Sequence, residues 1–136
     1  MGLLNRFRKK KAEEEIREKK EEKEEISDLE RICKGDKEVY EALRTTMLLD
    51  PRKVEVPLKE AAKRAKDFEK QKDRIRAKTW YEVAGGLAIY EGDVDKVKEY
   101  FSKCAELSPD SNYTILKIPE KAVSKALEYY KQYLKE

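Results

Sequence analysis

The sequence has no histidine. Its absence removes the commonest general base and the commonest metal ligand. The two cysteines, Cys33 and Cys104, stand too far apart for a zinc ligand set or a C-x-x-C redox pair. They read as buried free thiols packing like small hydrophobes, with a disulfide between them the open alternative. No apolar run approaches the ~18–20 residues of a membrane span. The start MGLLNRFRKKK lacks the apolar stretch of a secretory leader, so a cytoplasmic location, at most peripheral at a membrane, is expected. Glycines are few, and the Gly85-Gly86 pair is not followed by the Lys-Ser/Thr of a phosphate-binding loop. Carboxylates are plentiful, but none is expected to be surrounded by the apolar residues that would raise its pKa. The chain is therefore not expected to be an enzyme, and no cofactor, metal or small-molecule substrate is expected.

Charge is what the sequence has in excess. Charged residues make up 45% of 136 positions against 39% hydrophobic, which leaves material for one small core. Abundant Lys and Glu without His resembles the composition of hyperthermophile proteins. The net charge of +3 hides a segregation: residues 1–11 sum to +5, 12–30 to -6, 60–79 to +4 and 80–110 to -4. Between Ala12 and Glu25 the only aliphatic residue larger than alanine is Ile16, so no face exists to dock on a core. Glu13–Arg17 and Glu15–Lys19 are in the favourable i,i+4 order. The segment reads as a solvated charged helix projecting the N-terminus, or else as a charged disordered tail. Residues 1–25 are thus separated from a helical body over 26–136.

From Ile26 onward the apolar residues recur at helical spacing, and no segment alternates at period two for long. The first stripe, Ile26, Leu29, Ile32 and Cys33, should end at Gly35. Asp36 should cap a helix carrying Val39, Tyr40, Leu43 and Met47 to a stop at Pro51. A further stripe runs from Leu58 to Phe68, and periodicity leaves open whether 58–91 is one helix or two. Trp80 to Ala88 marks a strongly apolar helix ending at Gly92. Asp93 should cap the next, with Val94, Val97, Tyr100, Phe101, Cys104 and Leu107 inward. Tyr113–Ile118 reads as a short extended stretch. Pro119 opens a last helix with Ala122, Val123, Ala126, Leu127, Tyr130 and Leu134 inward. The fold class expected is all-α, made of antiparallel helical hairpins.

Within residues 78–109, Trp80-Tyr81, Ala84-Gly85-Gly86, Gly92, Phe101, Leu107 and Pro109 follow a recurrent spacing. Gly85 and Gly86 inside a helix cost about 1 kcal/mol each against alanine, so something should approach their backbone. The stretch resembles a tetratricopeptide repeat (TPR). Asp50-Pro51 and Ser108-Pro109 lie 58 residues apart instead of the ~34 of a regular array, so the resemblance implies a small TPR-like array with an extra helix and a final capping helix. It further implies a concave groove for a peptide or partner helix, faced by Thr79, Glu82, Val83, Gly86, Ile89 and Tyr90. The Lys and Asn clamp that some TPR proteins use for a C-terminal carboxylate is not reproduced, because Glu82 and Gly86 stand in those places.

Two basic segments complete the candidate surfaces. Leu3, Leu4 and Phe7 share one helical side with Arg6, Arg8, Lys9, Lys10 and Lys11 interleaved, a short amphipathic tether for an anionic membrane surface or a large assembly. Lys63, Arg64, Lys66, Lys70, Arg74 and Arg76 form a candidate nucleic-acid contact. The functional expectation is a non-catalytic protein–protein interaction adaptor, with a protein partner in the groove and the N-terminus as tether. An RNA- or ribosome-associated protein using both basic segments, and a self-assembling structural subunit, are the alternatives.

Overall fold

A computed structural model describes residues 28–134, which divide between two units at the Gly35–Asp36 junction. Of the first unit, residues 28–35 are described. They form a helical segment, α1 (28–33), closed by Lys34 and Gly35, both in left-handed backbone conformations (φ 50° and 79°). The second unit contains α2 (Lys37–Thr46), α3 (Leu58–Lys70), α4 (Arg74–Glu91), α5 (Val94–Leu107), a 3-10 turn (Thr114–Leu116) and α6 (Pro119–Tyr133). The described residues contain no strand, and the fold is all-α. The proposed tether residues 3–11 and the charged segment 12–25 lie outside the described residues.

Local chemistry sets most of the helix ends. Asp36, Asp73 and Asp93 each cap a helix by accepting from the backbone N–H three residues on, at 3.2, 3.1 and 3.1 Å. Pro119 occupies the first turn of α6. At Gly92 (φ 75°) the chain leaves α4, and the Asp93 N–H donates back to the Ala88 carbonyl at 3.0 Å. The stretch 58–91 is two helices. After α3 the N–H groups of Lys72 and Asp73 donate to the carbonyls of Glu69 and Phe68, at 3.0 and 2.9 Å, the double closure that usually employs a left-handed glycine. Here Lys72 takes that conformation, with φ 62°. A Cβ in this region costs about 1 kcal/mol relative to glycine.

Three expectations need correction. Helix α2 stops at Thr46, well before Pro51. The Thr45 hydroxyl donates to Glu41 O (3.1 Å) and the Thr46 hydroxyl to Ala42 O (2.7 Å), engaging carbonyls of the last turn. Met47 is consequently outside the helix, and Leu48 and Leu49 are 64% and 56% exposed. The stretch expected to be extended contains the 3-10 turn Thr114–Leu116, with i to i+3 bonds from Leu116, Lys117 and Ile118. It buries Tyr113 and Ile115 at every second position, which mimics strand alternation. Leu127 is exposed instead of inward: it covers the α4–α5 turn, where a Cβ on Gly92 would come within 3.2 Å of Leu127 Cδ1.

Helix α4 is the centre of the body, packed against α3 on one side and α5 on another, while α6 returns to α2, α4 and α5. That position explains why Ala77, Tyr81, Ala84, Gly85, Leu87, Ala88 and Ile89 are all buried, too wide a set for one amphipathic stripe. The α3–α4 contact is made with small residues, Ala61 and Ala65 against a helix carrying Ala77, Ala84 and Ala88, all buried. Buried polar atoms at this junction are matched. The Tyr81 hydroxyl donates to Glu69 Oε1 at 2.7 Å, and Lys103 Nζ of α5 lies 3.7 Å from the other Glu69 oxygen. At the other end of the body, Asp36 pairs with Lys121 of α6 as well as capping α2. That pairing lowers the Asp36 carboxyl below its ordinary range and raises the Lys121 ammonium.

Candidate functional site

The early end of α2 creates the site. Past Thr46 the chain swings away as Met47-Leu48-Leu49 and returns through Pro51 and Val54, leaving a cavity of about 200 Å3. Its other walls are α4, the Phe101 ring of α5 and Tyr130 of α6. Four of the six residues expected to face a groove line this space: Thr79, Glu82, Val83 and Gly86, at i, i+3, i+4 and i+7 on one side of α4. Ile89 is instead fully buried in the core, because the edge of that helical face is turned into the packing. Tyr90 lies partly exposed outside the cavity lining, edge-on to the Tyr130 ring at 5.2 Å.

The two helical glycines differ in what surrounds them. A Cβ on Gly85 would stand 2.6 and 2.7 Å from Cε2 and Cζ of Phe101, so at Gly85 the expected close approach is made by that ring. A Cβ on Gly86 would meet nothing nearer than the Thr46 carbonyl oxygen at 3.9 Å. Nothing in the packing of the described residues requires glycine there. The bare backbone of Gly86 forms part of the cavity floor.

Polar chemistry at the site is already engaged. Glu82 Oε1 accepts from the Tyr113 hydroxyl at 3.0 Å and lies 3.6 Å from Lys78 Nζ. The Thr79 hydroxyl donates back to the Ile75 carbonyl at 3.0 Å. Close by, the Cys104 thiol faces the Lys78 carbonyl at 3.7 Å, and burial pushes it up to about 12. A thiol so raised is not a nucleophile near neutrality. Both cysteines are buried. Cys104 should therefore resist alkylation at pH 8 in the native protein and react at the rate of a free thiol once denaturant is added. Fast native labelling in a Cys33→Ser variant would contradict its burial. Among the described residues no group of three or more His, Cys, Asp or Glu could hold a metal ion. What the arrangement can do is accept an apolar group beside a fixed carboxylate.

The six candidate nucleic-acid residues do not act alike. Lys63, Lys66, Lys70 and Arg74 are exposed. Arg64 lies over the Trp80 ring at 4.8 Å and 3.4 Å from Glu60, while Arg76 lies 5.7 Å from the Phe68 ring centre and 3.6 Å from Asp73. No helix among the described residues is long and apolar enough to cross a membrane. Leu48, Leu49, Phe101 and Tyr130 complete the cavity without having been expected there. The Met47-Leu48-Leu49 run is visible in the sequence, but with Pro51 as the stop signal it reads as the end of a helix. Comparison of the chain with protein-family models, with curated proteins and with solved structures finds no match.

Proposed function

We propose that the chain is a non-catalytic protein–protein interaction adaptor with a TPR-like body, whose groove takes one apolar side chain of a partner peptide or helix. The observation that carries this reading is Gly86: an interior helical glycine that the packing of the described residues does not explain, at the floor of an apolar cavity flanked by exposed leucines. Binding sites for partner anchors are concave and mostly apolar, with few polar groups. Burial of a Leu-sized anchor contributes about 1.5–3 kcal/mol, enough to distinguish partners. The tether role of Leu3, Leu4, Arg6, Phe7, Arg8 and Lys9–Lys11 is part of the same proposal and rests on sequence.

Gly86→Leu keeps a good helix former in place and fills the cavity from its floor. Captured from cell extract alongside wild type, this variant should retain the specific partner about tenfold less, in line with the lost anchor burial. Glu82→Lys should also weaken retention by reversing the charge at the rim. If the same proteins bind wild type and Gly86→Leu equally, the groove is not the docking site.

A further inference from the structure

We propose that the tip of the α3–α4 hairpin, centred on Lys72 and Ile75, is a contact for an anionic lipid bilayer. The proposal is independent of what occupies the groove. Ile75 is the most exposed large apolar side chain among the described residues, at 82%, and it stands between Arg74 and Arg76 in the first turn of α4. A single exposed aliphatic residue is ordinary on a protein surface. Its neighbours give this one meaning.

Lys63, Lys66, Lys70, Lys72 and Arg74 are all exposed, and among the described residues none of them pairs with a carboxylate. With Lys59, the first three fall at i, i+4, i+7 and i+11, a single stripe of α3 that runs down to the tip. The acids close by are mostly committed elsewhere. Glu69 accepts from Tyr81 and pairs with Lys103, while Asp73 caps α4 and pairs with Arg76, so Asp67 is left to offset the cations. The apex itself is Lys72, holding the left-handed conformation in which glycine would be unstrained. Strain of this kind persists where the surrounding structure imposes it, and it clusters at functional positions.

Unpaired cations around a protruding aliphatic residue suit a bilayer interface. The cations meet lipid phosphates, and the aliphatic group enters the boundary between headgroups and acyl chains. A nucleic acid would be expected to use a free aromatic face for stacking. Phe68 and Trp80 of this hairpin are already approached by guanidinium groups, of Arg76 and Arg64 respectively.

The test uses the full chain, so residues 1–27 are identical in every sample. Wild type, Lys72→Gly and Ile75→Ser are sedimented with vesicles of phosphatidylcholine alone and with equimolar phosphatidylcholine and phosphatidylglycerol, at low and high salt. Wild type should be retained by the mixed vesicles at low salt and released by high salt. Each variant should partition about fivefold less, the effect of one cation or a small apolar contact at the surface. Lys72→Gly should at the same time melt at a higher temperature than wild type, a split that a purely structural role for Lys72 would not produce. Equal retention of all three proteins overturns the proposal, as does equal binding to neutral vesicles. Tighter retention on single-stranded RNA than on mixed vesicles, with Ile75→Ser without effect, overturns it in favour of a nucleic-acid surface.

Discussion

Phe101→Ala should destabilise the protein by about 3–5 kcal/mol in chemical denaturation, the range for removing a buried aromatic side chain. The ring is 1% exposed. It occupies the notch left by Gly85, lies 5.7 Å from the Tyr113 ring, and walls the cavity. Core sites recover part of such a loss by collapsing onto the vacated space. This one is poorly placed to do so, because the vacated volume adjoins an existing cavity of about 200 Å3. The loss should therefore sit in the upper half of the range. With total stabilities of about 5–15 kcal/mol for single domains, the variant should lie near the edge of folding. Destabilisation below about 1 kcal/mol would show that the ring does not fill this role.

Adjacent glycines should respond in opposite directions to the same substitution. Alanine for glycine inside a helix gains about 1 kcal/mol from propensity alone. At Gly86 that gain should be realised, because the new methyl group meets only a carbonyl oxygen at 3.9 Å. At Gly85 the methyl group would stand 2.6 Å from a buried aromatic carbon, and overpacking costs about 1–3 kcal/mol. Gly85→Ala should thus be net destabilising by up to about 2 kcal/mol, and Gly86→Ala stabilising by up to about 1 kcal/mol. The loss at Gly85 should shrink in a Phe101→Leu background, because the two positions share one contact. Equal losses at both glycines in thermal or urea unfolding would contradict the packing described.

How much of this was legible in the sequence depended on the range of the physics. Asp36, Asp93, Gly92 and Pro119 act on backbone atoms within a few residues, and they mark helix ends in the sequence as they do in the structure. Asp73 does the same chemistry, but with no glycine or proline beside it the sequence leaves open whether 58–91 is one helix or two. The end of α2 was not legible, because Pro51 is a stronger stop signal than the two threonine hydroxyls that end the helix earlier. Ile89 and Leu127 share helical faces with their neighbours, and only the position of the next helix decides which edge of a face is covered. At the site, Thr79, Glu82, Val83 and Gly86 follow from one helical face. Leu49 and Tyr130 belong to walls some eighty residues apart in the chain, a juxtaposition that local spacing does not encode. Nor could spacing tell Gly85 from Gly86: one answers to Phe101, the other to open space.

The return of α6 has a consequence for the order of assembly. Helices α3, α4 and α5 pack against their neighbours in sequence, contacts of low loop-closure cost that form early and quickly. The contact of α6 with α2 spans most of the body and should form last. Tyr130 and the segment after α2 both line the cavity, so the cavity should be completed by this late docking step. Partial release of α6 should then be the lowest-energy opening of the native state, leaving the three central helices intact. A partner larger than the resting cavity would gain entry by that route, with the amides of α6 exchanging before those of α4.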